Sequence, residues 1–310
     1  MAPPVGGRTS VEEGGLGVRP KIGLVLGGGG SRGLAHIGVL EVLAREHIPI
    51  DLIVGTSMGG IIGALFAFGI SPHLLAKRLV SLRGTTLFSM NLFSARARQR
   101  NIETQLSEAL QDKTFADLKI PLTVMAVDMV TGQEVPISEG SLIPALLATS
   151  AVPAVFPPVE INGMQLLDGG VIDSLATHIA FAHGAERVIA VDVYPPLEIE
   201  TPWVDPMSAI MGFQLPFGLV GNTGLQSRPP SMLASIWRAT RVMAWHLHEE
   251  RLHHHAPHVL LRPAVNDYGS LDFRDVQGPM TAGIEETERH LDKIRALFET
   301  PTYRMSELGN

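Results

Sequence analysis

The sequence predicts an α/β fold, a sheet with helices on both faces, and three observations carry that expectation. Short apolar strands alternate with helical patterns from residue 21 to residue 194. The first strand runs straight into four consecutive glycines, Gly27 to Gly30, and the second ends at Gly55-Thr-Ser57-Met-Gly59. At both joints a strand hands over to a helix.

The 310 residues are 45% hydrophobic, enough to bury a full core. A net charge of -7 with no basic run argues against a nucleic-acid partner. The chain has no cysteine, which excludes disulfides, thiolate catalysis and cysteine-ligated metal, and fits a cytoplasmic setting. Residues 1–20, rich in Gly and Pro, lack the apolar core of a signal peptide and read as a flexible leader.

Residues 21–26 form the first strand, and Gly27-Gly28-Gly29-Gly30-Ser31-Arg32-Gly33 follows directly. A helix over 34–46 then turns Leu34, Ile37, Leu40, Val42 and Leu43 toward the core. Strand, glycine loop and helix make a phosphate- or oxyanion-binding geometry, because backbone N–H groups and a helix N-terminus converge on one point. Gly28-x-Gly30-x-x-Gly33 also matches the dinucleotide fingerprint. That motif needs an acid at the end of the second strand, whereas Asp51 begins its strand.

Residues 51–70 carry no charge after Asp51, and a hydropathy window alone would score them as a membrane span. The better reading is a buried strand, Leu52-Ile53-Val54, a turn at Ser57, and a small-residue helix from Met58. Gly-x-Ser-x-Gly at such a joint is a nucleophile elbow, in which a sharp turn projects the serine hydroxyl. Gly55 and Gly59 leave room for that turn, and the helix points its partial positive end at Ser57.

Ser71-Pro72 opens a helix to about 82. Residues 84–94 are apolar without period and are a candidate pocket lining. Residues 96–110 read as a surface helix with Ile102, Leu106, Ala109 and Leu110 inward; Arg96, Arg98 and Arg100 could reach lipid phosphate. A strand over 122–129 pairs with 133–137 across Thr131-Gly132, and a short helix spans 141–149. Three prolines stiffen 149–159, a hairpin turns at Asn162-Gly163, and its second strand ends in Asp168-Gly169-Gly170. An acid at a strand end before two glycines is a carboxylate that other groups can approach closely. Ser174 is expected to cap a helix through 183, and 186–194 is another buried strand.

From 195 to 230 the pattern breaks into an apolar, Pro- and Met-rich stretch expected to form a loop or lid. A long helix over 231–255 carries Met232, Leu233, Ile236, Val242, Met243 and Leu247 on one face, and His253-His254-His255 is a polar helix end rather than a metal tract. A strand at 258–262 and a helix at 281–298 close a helical extension, 231–310, packed on the main domain, 21–194.

Taken in order, Gly28-Gly-Gly-Ser-Arg32-Gly33, Gly55-Thr-Ser-Met-Gly59 and Asp168-Gly-Gly170 resemble the motifs of the patatin-like phospholipases, including bacterial relatives of the neuropathy target esterase catalytic domain. The resemblance covers 22–194. It implies a patatin-like three-layer sandwich on a mostly parallel sheet, and acyl-ester hydrolysis by a Ser-Asp dyad without a histidine base. Ser57 would be the nucleophile and Asp168 the general base. Gly28, Gly29, Gly30 and Arg32 would supply the oxyanion hole, with Gly33, Gly55, Gly59, Gly169 and Gly170 supporting the motifs. No cofactor and no metal are implied. The implied partner is a lipid or acyl-ester substrate, met by peripheral contact at the inner membrane face; oligomeric state is not legible. A Ser-Asp-His hydrolase using His246 or His258, and a non-catalytic lipid- or nucleotide-binding module, are the alternatives.

Overall fold

The computed structural model describes residues 19–81, 95–153, 155–197 and 232–298. The expectations for residues 84–94 and for nearly all of the 195–230 stretch fall outside them. Among the described residues, one sheet contains β1 (Ile22–Leu26), β2 (Leu52–Thr56), β3 (Leu122–Asp128), β4 (Glu134–Ile137), β5 (Val159–Ile161), β6 (Met164–Asp168), β7 (Arg187–Val191) and β8 (Val259–Leu261). The helices are α1 (Ala35–Arg45), α2 (Met58–Phe68), α3 (Pro72–Ser81), α4 (Ala95–Leu110), α5 (Leu142–Thr149), α6 (Thr177–Ala182), α7 (Met232–His254), α8 (Gln277–Arg289) and α9 (Leu291–Ala296).

The hydrogen-bonded path through the sheet is β5-β6-β3-β2-β1-β7-β8, with β4 also paired to β3. The run β3-β2-β1-β7-β8 is parallel throughout. Parallel strands covered on both faces need apolar side chains at every position, and β1, β2 and β3 are buried at every residue. Successive residues serve two cores. Leu24, Leu26, Ile53 and Val124 pack in the core shared with α1, α2 and α5, while Val25, Val54 and Met125 pack with Ala176 and Ala180 at α6. This alternation makes the three layers.

One detail of register positions everything that follows. Val124 and Met125 of β3 pair with both β2 and β4, which therefore lie on opposite edges of β3. Ala126 and Val127 pair with both β4 and β6. Strands β2 and β6 thus share one edge of β3 and approach end to end: β2 stops at Thr56 opposite Met125, and β6 stops at Asp168 opposite Ala126. Their ends meet.

Two expectations change. Ser174 does not cap α6, whose N-cap is Ala176; its hydroxyl donates instead to the Gly28 carbonyl at 2.9 Å. The closing helix is two, broken at His290. In α7, Met232, Ile236, Met243 and Leu247 are exposed. The charge-free stretch after Asp51 contributes an 11-residue helix, and among the described residues no helix is long and apolar enough to cross a membrane.

Candidate active site

Ser57 occupies the joint between β2 and α2 with φ 54° and ψ -124°, a backbone conformation that L-residues avoid and that serine elbows hold under strain. The turn is possible because its neighbours lack side chains. A Cβ on Gly55 would stand 2.5 Å from the Gly60 Cα, and one on Gly59 would stand 2.1 Å from the Leu26 carbonyl oxygen. The Ser57 N–H donates to the Thr149 hydroxyl at 3.0 Å, and that hydroxyl donates to the Met125 carbonyl at 2.5 Å. Thr149 is fully buried at the end of α5 and ties the elbow to β3.

Asp168 comes to the same place from the opposite direction. Its Oδ1 accepts the Gly170 N–H at 2.8 Å, and the Ser57 hydroxyl lies close enough to lower its pKa. Burial pushes its pKa up to about 6, although the Ser57 hydroxyl and the Gly170 N–H pull the other way. A Cβ on Gly169 would stand 2.6 Å from the Met125 carbonyl oxygen, so glycine is required where the chain turns away beneath β3.

The glycine loop lies beside this pair: a Cβ on Gly28 would sit 3.3 Å from the Ser57 Cβ. Gly33 leaves room for the Met58 side chain, whose Cγ would stand 2.6 Å from a Cβ there. Gly28, expected among the oxyanion donors, gives its N–H to the Ser174 carbonyl at 2.9 Å and therefore sets the loop's position. The Ser31 N–H goes to the Ser270 carbonyl at 2.8 Å. Among the described residues the N–H groups of Gly29 and Gly30 have no protein acceptor. Arg32 is buried and its Nη1 donates to the Ser270 hydroxyl at 3.0 Å.

The segment following Asp168 is held by charge. His178 Nε2 lies 3.0 Å from Glu134 and Nδ1 3.4 Å from Asp173; Arg251 bonds both carboxylates. The adjacent carboxylates of Asp173 and then Glu134 push His178 up to about 9. Glu134, Asp173 and His178 place ligand atoms within 4.8 Å of one another, but the Arg251 guanidinium already answers their negative charge.

Neither alternative histidine joins the site. His246 is exposed against Trp245. The His258 Nδ1 accepts the Val188 N–H near the start of β7, at the sheet end opposite the elbow. Asp51 bonds Arg19 and the Ile22 N–H at that same far end, as a ribose-holding acid would not.

A family model for patatin-like phospholipases matches residues 24–181. The chain belongs to that family. Patatin-like phospholipase domain-containing protein 6 of Homo sapiens is 35% identical over 185 residues, 56% of this chain and 13% of that protein. A lysophospholipase of Yarrowia lipolytica is 27% identical over 286 residues, 88% of this chain and 20% of that protein. An NTE family protein of Mycobacterium tuberculosis is 33% identical over 177 residues, 56% of this chain and 49% of that protein. The matches thus span less than half the length of each of these relatives. The crystal structure of VipD from Legionella pneumophila aligns over 88% of this chain and 67% of its own, at 12% identity and a TM-score of 0.49.

Sequence reasoning picked out Ser57, Asp168 and the glycine loop but missed Thr149, Ser174, Gly269 and Ser270. Thr149 and Ser174 stood next to recognised motifs, yet no spacing rule links a hydroxyl to a backbone group 92 or 146 residues away.

Proposed function

We propose that this chain is a serine hydrolase of lipid acyl esters, with Ser57 as nucleophile and Asp168 as general base. The observation that carries the reading is the buried Asp168 carboxylate beside Ser57, whose hydroxyl lowers its pKa while burial pushes it up to about 6. An ordinary aspartate near 3.9 is a poor acceptor of a serine proton; one near 6 is about a hundredfold more basic and still mostly ionised at neutral pH.

The Ser57 Oγ attacks the ester carbonyl as its proton passes to Asp168. The tetrahedral oxyanion takes hydrogen bonds from the Gly29 and Gly30 amides, beside the positive end of α2. As the intermediate collapses, the ester C–O bond breaks and Asp168 returns the proton to the leaving alkoxide. Water then attacks the acyl-enzyme, giving its proton to Asp168; as the acyl C–O bond to Ser57 breaks, Asp168 returns that proton to the Ser57 Oγ and the fatty acid is released. The strained elbow and the Thr149 hydroxyl keep Ser57 poised throughout.

Lysophospholipids are the first substrates to test, because a fungal relative is named a lysophospholipase. Peripheral contact with a lipid surface follows from that substrate class. Its support is Val171, 43% exposed three residues after Asp168.

The test pairs a fluorophosphonate probe with p-nitrophenyl esters of graded chain length and a lysophospholipid, on wild type, Ser57→Ala and Asp168→Asn. Labelling lost in Ser57→Ala, with turnover lost in both variants, is the expected result. A folded wild type that neither labels nor turns over any substrate refutes the reading.

A further inference from the structure

The glycine loop is gripped from two sides by parts of the chain far apart in sequence. On one side Gly27 donates to the Val191 carbonyl at 3.0 Å, while Gly28 and Ser174 exchange two hydrogen bonds of 2.9 Å. On the other side stands the turn after β8. The Ser31 N–H donates to the Ser270 carbonyl at 2.8 Å, the Ser31 hydroxyl to the Gly269 carbonyl at 2.6 Å, and Arg32 Nη1 to the Ser270 hydroxyl at 3.0 Å. Gly30, at φ 60°, lets the Ser270 carbonyl oxygen come within 1.9 Å of where a Cβ would be. No side chain fits there. Between the two grips lie Gly29 and Gly30, whose amides are left without protein acceptors among the described residues.

We infer that Gly269 and Ser270 form a latch that sets the orientation of the Gly29 and Gly30 amides, which makes Ser270 a positioning residue for the oxyanion hole. The inference rests on the dyad reading above. It reaches beyond residues 24–181, the part of the chain that matches the family model.

The latch is itself braced. The Gly269 carbonyl also accepts the Asp272 N–H at 3.0 Å, Tyr268 donates to Asp275 at 3.3 Å, and Asp275 accepts the Gly278 N–H at 3.0 Å at the start of α8. Val265 and Val276 bury both ends of the turn in the core shared with α1 and α2. A rigid turn mounted on a strand and a helix can hold amides where charge develops, and oxyanion donors work only when aimed before the reaction begins. Among the described residues Ser270 makes no hydrogen bond to Ser57 or Asp168, and it acts on the loop at Gly30, Ser31 and Arg32.

The experiment measures kcat, KM and the fluorophosphonate labelling rate of Ser57 in full-length wild type, Ser270→Ala, Ser270→Thr and Ser31→Ala. Thermal midpoints are recorded alongside. Ser270→Ala and Ser31→Ala should each lower kcat and the labelling rate about tenfold or more with KM within about twofold, since a donor matters in the transition state and not in ground-state binding. Ser270→Thr, which keeps the hydroxyl, should recover most of the loss. A folded Ser270→Ala and Ser31→Ala with wild-type kcat would overturn the latch and leave the dyad standing. So would a loss confined to KM, or an equal loss in Ser270→Thr. Absence of labelling and turnover in wild type would instead remove the dyad reading, and the latch with it.

Discussion

Replacing Asp168 by asparagine should abolish turnover and stabilise the protein, by an amount that depends on pH in a calculable way. The folded carboxylate is pushed up from 3.8 to about 6, chiefly by burial. A raised carboxylate pKa means that the folded state binds its proton more tightly than the unfolded chain does. Ionisation is therefore a penalty on folding, absent well below 3.8 and complete above about 6. At 1.36 kcal/mol per pKa unit the full penalty is about 3 kcal/mol; linkage makes it less than about 1 kcal/mol at pH 4 and brings it to about 3 at pH 8. Asparagine nearly preserves the shape, and its carbonyl oxygen can still accept the Gly170 N–H, but it cannot ionise. Any fixed difference between amide and carboxylic acid shifts the whole curve without changing its slope. Urea unfolding of both proteins, followed by fluorescence at half-unit steps from pH 4 to 8, reads the difference directly. The advantage of Asp168→Asn should grow by about 2 kcal/mol across that range. A difference that stays flat, or shrinks as pH rises, would refute both the desolvated carboxylate and its use as a base.

Other outcomes follow from the same geometry. The pH profile of kcat/KM on a soluble ester should rise about tenfold per unit below about 6 and level off above it, because the base must be ionised in the free enzyme. Thr149→Val keeps volume but leaves the Ser57 N–H without its acceptor; kcat should fall about 10- to 100-fold, while Thr149→Ser stays near wild type in the same steady-state assay. His178→Gln should destabilise the protein at neutral pH by roughly 1–2 kcal/mol after allowance for its partial exposure. A histidine raised from 6.5 to about 9 contributes fully below 6.5 and loses that contribution as pH rises through about 9, so the two denaturation midpoints should converge there. His246→Ala and His258→Ala should each keep turnover within about twofold, as expected of surface positions outside the site.

The local parts of this protein were legible in its residues. A strand, a serine and a helix of small residues can be read as an elbow because all three are contiguous and each depends on short-range sterics. The glycine loop and the Asp168-Gly169-Gly170 turn are legible for the same reason, as is the alternation that produces a covered parallel sheet. Ser174 shows where local reading stops: it looks like a helix cap, but the Gly28 backbone, 146 residues away, takes its hydroxyl.

What only tertiary structure decided is how these pieces are brought together. Ser57 and Asp168 meet because β2 and β6 share one edge of β3 and end on successive residues of it, Met125 and Ala126. The raised basicity of Asp168 comes from the depth of that junction and not from any neighbouring residue in the chain. The grip of Gly269 and Ser270 on Ser31 and Arg32 spans 238 residues and is made by backbone and hydroxyl groups that every sequence offers in abundance. Hydrogen-bond partners of that kind are selected by the packing of strands and helices, which composition and spacing do not encode.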